Sequence, residues 1–276
     1  MKISLEYKKP GKLLNPGSGF LQGYSHTLNP YTGCSFACSY CYVRRMPVGL
    51  FRDQEWGTWV DIKSGAREQL LKELRNAKRK GPVTIFMSSS TDPYQPVEYK
   101  EKVTRSLLEA MTEEAEAQPD FLFVQTRSPL VTRDIDLFEK LRDKIRISVT
   151  IETDLDQVRK VFSPYAPPIQ ARLKALRELT EAGLPTQAAV APVLPSSDKF
   201  PSLLKAATDR VCIDDYFMGD GSGGKRTKQL GLRSLYEGMG YEDWYHPEAY
   251  LQVANAMGVV FAPEQLKISR DGFMPF

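Results

Sequence analysis

Short apolar runs alternate with longer amphipathic stretches between about residue 25 and residue 215. This alternation is typical of β-α units that build a parallel sheet. It predicts strands at Ser25–Tyr31, Val83–Met87, Phe121–Gln125, Ile145–Ile151, Thr186–Val193 and Arg210–Ile213. It predicts helices at about Ile62–Arg79, Tyr99–Ala117, Asp134–Lys144, Pro168–Ala182 and Asp243–Met257.

The order of these elements predicts the fold class. Consecutive β-α units without an internal repeat or an obvious linker favour an α/β fold, a single partial (β/α)6 TIM-like barrel with an N-terminal cysteine loop. We expect one domain over residues 1–276, with a core at about 22–215 and a C-terminal extension at about 216–276. Loops after the carboxyl ends of parallel strands carry the chemistry of such barrels, so candidate residues are sought there.

Composition narrows the class of protein. The chain has 276 residues, 42% hydrophobic and 26% charged, which is usual for a globular protein. No apolar run approaches the roughly 20 residues that span a bilayer, and the N-terminus lacks the apolar core of a signal peptide, so we expect no membrane partner and a cytoplasmic location. The net charge is +3 and the pI about 8.5. Charge alone therefore neither predicts nor excludes a nucleic-acid partner.

Three of the four cysteines, Cys34, Cys38 and Cys41, form a C-x3-C-x2-C cluster. Three thiolates on one loop can hold three corners of an iron–sulfur cubane and leave its fourth iron without a protein ligand. A zinc site is the alternative, but structural zinc takes four ligands. The nearest histidine, His26, lies on the first predicted strand, and Cys212 is far along the chain, where a small core residue is expected.

A second polar cluster follows the second predicted strand. Ser88, Ser89, Ser90, Thr91 and Asp92 place several oxygen acceptors at the end of that strand, where they can bind an ammonium group. The alternative is a Ser/Thr/Asp/Pro turn that caps the next helix.

The segments Asn-Pro-Tyr-Thr-Gly-Cys, Thr-Asp-Pro-Tyr-Gln-Pro and Thr-Arg-Ser-Pro-Leu-Val, together with the cysteine spacing, resemble the spore photoproduct lyase-like branch of the radical S-adenosylmethionine (SAM) superfamily. The similarity covers roughly residues 25–215. It implies a [4Fe-4S] cluster on Cys34, Cys38 and Cys41, and reductive cleavage of SAM to a 5′-deoxyadenosyl radical that abstracts hydrogen from a substrate.

The resemblance also implies a SAM site. Its amino group would meet the loop residues Ser89, Ser90, Thr91 and Asp92, and its ribose and carboxylate would meet Gln125, Thr126, Arg127, Ser148, Thr150 and Glu152. Tyr40 can pack beside the purine. Arg172 on the fourth predicted helix can pair with the carboxylate in a fork, and its alternative is a solvated helix face.

One departure from the family bears on the substrate. The founding lyase uses an additional cysteine after the triad, and residues 80–95 of this chain contain none. We therefore predict a small-molecule substrate, with a flavodoxin or ferredoxin as electron donor. The alternatives are transfer of an aminocarboxypropyl group from SAM, DNA or RNA lesion repair, and a non-catalytic metal-binding nucleic-acid module.

The glycine-rich stretch from Gly219 to Lys225 fails as a P-loop, because Arg226 stands where Ser or Thr should hold magnesium. It is predicted to be either a lid that brings Lys225, Arg226 and Lys228 to an anionic substrate or a plain flexible loop. His246 is not assigned a role.

Overall fold

The computed structural model of the protein describes residues 3–275. Its larger sheet has eight strands, and the smaller one has three. In chain order the strands are β1 (Ser4–Lys8), β2 (Leu14–Pro16), β3 (His26–Leu28), β4 (Tyr31–Thr32), β5 (Trp59–Lys63), β6 (Thr84–Met87), β7 (Phe121–Thr126), β8 (Ile145–Thr150), β9 (Thr186–Val190), β10 (Val211–Ile213) and β11 (Leu266–Ile268).

The α-helices are α1 (Pro47–Leu50), α2 (Ala66–Lys78), α3 (Glu98–Glu101), α4 (Val103–Glu113), α5 (Ile135–Glu139), α6 (Asp156–Phe162), α7 (Ile169–Glu181), α8 (Phe200–Lys205), α9 (Tyr216–Gly219), α10 (Lys225–Lys228), α11 (Arg233–Glu237), α12 (Ala249–Gly258) and α13 (Arg270–Phe273). Short 3-10 helices lie at Gly19–Leu21, Tyr42–Arg45, Ala115–Ala117, Pro129–Asp134, Arg142–Lys144 and Glu242–Trp244. Within the described residues, no helix is both long enough and apolar enough to cross a membrane.

The strand order of the larger sheet is β11-β10-β9-β8-β7-β6-β3-β2. All neighbouring pairs are parallel except β2 with β3. The predicted fold class, an α/β fold that forms a partial TIM-like barrel, is confirmed. The smaller sheet pairs β5 with β1 in parallel and with β4 in antiparallel orientation.

Side chains alternate between the two faces of the parallel strands. On one face, residues such as Ile85, Val124 and Ile147 share a core with Leu70 of α2 and Leu176 of α7. The opposite face carries a separate aromatic layer made of Tyr24, Phe86, Phe121, Phe123, Ala189, Cys212 and Phe273. This layer fills the interior of the barrel.

Three predicted element boundaries are wrong. The helix predicted from Ile62 begins instead at Ala66, because Ile62 lies in β5 and Gly65 turns the chain with φ 70°. The helix predicted over Tyr99–Ala117 is interrupted at Lys102, which has φ 52°. The first predicted strand ends at Leu28, and Tyr31 belongs to β4 of the smaller sheet.

The other boundary differences are smaller. The predicted helix over Asp134–Lys144 reduces to α5 between two 3-10 helices, and the helix predicted from Asp243 begins at Ala249. The fifth and fourth predicted strands end at Val190 and Thr150. The pattern missed β11, which adds a further parallel strand from the C-terminal extension beside β10.

Candidate functional site

The cysteine loop runs from β4 to the 3-10 helix Tyr42–Arg45. The Arg44 guanidinium donates to the carbonyls of Ala37 (2.8 Å) and Cys38 (3.1 Å). Gly33 has φ 85°, and a Cβ there would stand 2.7 Å from the Trp59 carbonyl oxygen and 2.8 Å from its ring. Glycine is therefore required at position 33 by the neighbouring strand β5.

The three thiols on this loop are free. Burial raises the pKa of all three, that of Cys41 to about 11, and the pKa of Cys34 is raised further by Asp92 and by the Cys38 and Cys41 charges. As the side chains of residues 3–275 stand, no group of three or more His, Cys, Asp or Glu residues could hold a metal ion. The donor set of three unpaired thiols on one clamped loop nevertheless fits three corners of an iron–sulfur cubane.

The loop after β6 holds the cysteine loop in place. The Thr91 hydroxyl and the Gln95 amide both donate to the Gly33 carbonyl, at 2.5 and 3.2 Å. The Gln95 side-chain oxygen accepts from the backbone N–H of Ser35 at 2.9 Å. Thr91, predicted as a SAM contact, therefore fixes the cysteine loop through its hydroxyl.

Asp92 is 6% exposed and joins the ends of β6 and β7. Its Oδ1 accepts from the Tyr94 N–H (2.9 Å) and the Thr126 hydroxyl (2.7 Å), and its Oδ2 accepts from the Arg127 N–H (2.9 Å). Burial raises its pKa, while these hydrogen bonds and the Arg127 charge lower it. The carboxylate thus accepts hydrogen bonds from within the protein, and its contact with the SAM amino group stays a prediction.

Asn29 braces the serines of the same loop. Its amide donates to the Ser89 hydroxyl at 3.1 Å, and its side-chain oxygen accepts from the Ser90 N–H at 3.0 Å. The Ser88 hydroxyl is buried without a partner in the described residues. Hydroxyls at the end of β6 therefore remain available to a ligand.

Glu152, which follows β8, is the centre of a buried network and is 1% exposed. Its Oε1 accepts from the Tyr40 hydroxyl (2.7 Å), the Ser163 hydroxyl (3.0 Å) and Arg127 (3.3 Å), and its Oε2 accepts from Arg172 (2.6 Å). Burial acts to raise the pKa of Glu152, but Arg172 and Arg127 hold it at about 2. The carboxylate is therefore ionised and neutralises two arginines.

Arg172 is fully buried, so the solvated-helix alternative is wrong. Its Nε donates to the Pro167 carbonyl at 2.8 Å, and its Nη1 donates to Thr150 O as well as to Glu152. Its Nη2 has no partner in the described residues. One edge of the guanidinium is therefore free to bind an oxygen ligand.

Inward-facing polar residues line neighbouring strands below this network. The Gln125 amide donates to the Thr150 hydroxyl at 2.6 Å, while the Gln125 Oε1 atom is buried without a partner in residues 3–275. Ser148 is fully buried and accepts from the Gln187 amide at 3.3 Å. The structure thus brings Gln125, Thr150 and Glu152 together with the cysteine loop through Tyr40.

The C-terminal extension packs on the cysteine loop. Tyr216, Leu232 and Tyr236 share a hydrophobic cluster with Phe36, Cys38 and Tyr40. The glycine-rich stretch is a turn built around Asp220, whose carboxylate accepts from the N–H groups of Ser222, Gly224 and Thr227. These three backbone donors are therefore occupied, while the exposed Lys225 and Lys228 side chains extend to solvent.

Sequence reasoning left Arg44 and Ser163 out of the candidate site, whereas it placed Arg127 among the predicted SAM contacts. Arg127 directly follows β7 within the Thr-Arg-Ser-Pro segment, which is a positional signal for a site residue. Arg44 follows the triad, where a cation could have been expected to bind the loop carbonyls. Ser163 gives no signal, because its contact with Glu152 depends on how α6 packs.

Asp214, at the end of β10, is 6% exposed. Burial raises its pKa to about 7, against hydrogen bonds from Ser269 and the Asp215 N–H. Gly219 packs on it so closely that a Cβ would stand 2.1 Å from its Oδ2. A carboxyl group with this pKa can hold or release a proton near neutral pH.

Comparison with solved structures places the chain among proteins of the same fold. A cysteine mutant of spore photoproduct lyase superposes with a TM-score of 0.65 at 14% identity, over 96% of this chain and 81% of that chain. A spore photoproduct lyase mutant with bound AdoMet and dinucleoside spore photoproduct gives 0.64 at 15% identity, with the same coverage.

Sequence comparison gives relatives of higher identity. An uncharacterized protein of Methanocaldococcus jannaschii is 35% identical over 193 residues, covering 70% of this chain and 68% of that protein. An uncharacterized protein of Acidianus two-tailed virus is 34% identical over 197 residues, covering 68% and 63%. The profile of the radical SAM superfamily matches residues 28–204. The chain therefore belongs to the radical SAM superfamily, whose cofactors are a [4Fe-4S] cluster and SAM.

Proposed function

We propose that the protein cleaves SAM reductively and uses the resulting radical on a small-molecule substrate. The observation that carries the proposal is a clamped loop with three free, mutually interacting thiols and no fourth cysteine beside them. When bound on Cys34, Cys38 and Cys41, a reduced [4Fe-4S] cluster supplies the electron that converts SAM to methionine and a 5′-deoxyadenosyl radical.

We assign to SAM three of the buried polar atoms that have no partner in the described residues, those of Gln125, Arg172 and Ser88. Gln125 Oε1 is an acceptor suited to a ribose hydroxyl, and Arg172 Nη2 is a donor suited to a carboxylate. Ser88 adds an unused hydroxyl at the end of β6. Buried polar groups are seldom left unpaired, which supports the assignment of these atoms to a polar ligand.

We propose that the other predicted SAM residues position the cysteine loop and the residues that contact SAM. Asp92 and Thr91 fix the cysteine loop and the end of β7, and Glu152 orients Tyr40 and Arg172 by accepting from both. Ser148 and Thr150 support Gln187 and Gln125. A ligand is bound more tightly when such supports fix its contacts beforehand, because less conformational entropy is lost on binding.

We assign the substrate side to the C-terminal extension. The rings of Tyr216, Tyr236 and Tyr245 lie 5.4–6.5 Å apart at their centroids and pack on the cysteine loop, with Asp214 nearby at the end of β10. Large side chains packed beside the cysteine loop would exclude water from a radical and would favour a compact substrate. A flavodoxin or ferredoxin would donate the electron.

The test begins with anaerobic reconstitution. We expect about four irons per chain, the number in one cubane, and release of 5′-deoxyadenosine after reduction with SAM. Replacing Cys34, Cys38 and Cys41 by Ala should abolish both, whereas Cys212→Ala should retain both. Wild-type iron content in the triple variant would overturn the cluster assignment.

SAM binding and its products test the rest. Gln125→Leu should weaken SAM binding about fivefold to tenfold, the loss expected for one buried hydrogen bond, while iron content stays intact. Methylthioadenosine in place of 5′-deoxyadenosine would indicate aminocarboxypropyl transfer. Submicromolar, salt-dependent binding to duplex DNA would instead favour a nucleic-acid substrate.

A further inference from the structure

The opposite, N-terminal end of the barrel carries two inward-facing arginines. Arg146 is the second residue of β8, and Arg210 directly precedes β10, with β9 between those two strands. Both are half-buried, and neither forms an ion pair with any residue from 3 to 275. The charge of Arg146 lowers the pKa of Arg210 in addition to the larger effect of burial, as expected for two neighbouring cations.

A chain of contacts fixes the two side chains in one cluster. The Arg146 guanidinium lies 5.9 Å from the centroid of the Phe121 ring, and that ring lies 6.3 Å from the ring of Tyr24. The Arg210 Nε donates to Gln187 Oε1 at 2.8 Å, and the Gln187 amide reaches Ser148, two residues after Arg146 on β8.

The Tyr24 hydroxyl is a second, independent observation that favours an anionic ligand here. Tyr24 is 2% exposed, and its hydroxyl has no hydrogen-bond partner in the described residues. Burial raises its pKa while the charges of Arg146 and Arg210 lower it, and the Tyr24 ring packs against the Phe121 ring on which Arg146 lies. A buried hydroxyl without a partner is costly, and beside two cations it can only donate usefully to an anion.

From these groups we propose that Arg146, Arg210 and Tyr24 form a binding site for a phosphate group at the N-terminal end of the barrel. Gln187 accepts from Nε of Arg210, which leaves its two terminal nitrogens without a hydrogen bond to the described residues. Guanidinium forks bind tetrahedral oxyanions through two donors each, and the phenol adds another. Arg146 and Arg210 lie at the N-terminal ends of β8 and β10, whereas Glu152, which contacts Tyr40 of the cysteine loop, follows the C-terminal end of β8. The phosphate site therefore goes beyond the proposed reaction.

The test measures thermal unfolding of the full chain against rising inorganic phosphate, with chloride at matched ionic strength. A ligand that binds only the folded state raises the melting temperature with the logarithm of its concentration. We expect this rise in wild type, a loss of at least about tenfold in apparent affinity in Arg146→Gln/Arg210→Gln, and a loss of about fivefold in Tyr24→Phe. Glycerol phosphate as a parallel probe distinguishes an esterified phosphate from the free ion.

The matched control is Arg177→Gln, an exposed arginine on α7 without an ion pair in the described residues. It should keep the wild-type response to phosphate. In phosphate-free buffer the two arginine changes should leave the melting temperature unchanged or raised, since they relieve repulsion. An equal phosphate response in wild type and the double variant, with Tyr24→Phe also unchanged, would overturn the proposal.

Discussion

Replacing Glu152 by Gln tests the buried network beside the cysteine loop. The change keeps the side-chain volume but removes the charge that faces Arg172, whose side chain is fully buried, and Arg127, whose side chain is 16% exposed. Removing one partner of a buried ion pair costs about 3–5 kcal/mol, because the remaining charge is left uncompensated. Gln still offers one oxygen acceptor, so we expect a loss of roughly 3 kcal/mol.

The lowered pKa of Glu152 reflects the same two arginine contacts. Its lowering from 4.5 to about 2 corresponds to roughly 3 kcal/mol in favour of the ionised form. Because the folded-state pKa is lowered, this stability is present above about pH 4.5 and is lost as the pH falls toward 2. The variant should therefore lose most stability, relative to wild type, at neutral pH.

The assay is urea unfolding at pH 7 of protein prepared without its cluster, followed by circular dichroism. The matched control is Glu178→Gln, which breaks an exposed pair with Lys174 on α7. Such surface pairs contribute about 0.5 kcal/mol or less. If the two variants unfold within about 0.5 kcal/mol of each other, Glu152 does not stabilise the arginines as argued.

Two further predictions concern single residues at the site. Gly33→Ala should destabilise the fold by roughly 2–4 kcal/mol and lower iron incorporation, because the new Cβ would clash with the Trp59 backbone and ring at a residue of positive φ. A variant with the iron content and the urea unfolding midpoint of wild type would contradict this. Asp214→Asn should flatten the pH dependence of the free energy of unfolding. The folded-state pKa of Asp214 is raised to about 7, so wild type should lose up to roughly 4 kcal/mol of stability as the pH rises from about 4 to 7. The prediction is contradicted if the melting temperatures of wild type and variant change in parallel over that pH range.

The sequence could predict the parallel strands because each is a short apolar run buried on both faces, as Thr84–Met87 shows. It could not predict β11, whose three residues are only half-buried and pair with a strand about fifty residues earlier. The predicted start of a helix was wrong where the backbone conformation sets that start, as at Gly65, which directly precedes α2. The local pattern of apolar and polar residues does not predict a φ angle that a tertiary contact imposes.

The cysteine triad was predictable because its spacing lies within one loop, whereas the roles around it depend on distant partners. Asp92 offers the same acceptors to a ligand or to the protein, and its hydrogen bond from the backbone N–H of Arg127, directly after β7, is visible only in the folded structure. Arg172 looked equally suited to solvent, because its partner Glu152 lies on another element. The sequence shows which polar groups lie close together along the chain. Only the folded structure shows which of them already form hydrogen bonds or ion pairs within the protein.

Strand β8 shows how one parallel strand serves both ends of the barrel. Its inward positions recur every two residues, so Arg146, Ser148 and Thr150 follow one another from the N-terminal to the C-terminal end, and Glu152 comes next. At the C-terminal end the Glu152 carboxylate neutralises its arginines. At the N-terminal end Arg146 faces Arg210 without a carboxylate partner among residues 3–275, which is the charge imbalance that a bound phosphate group would remove.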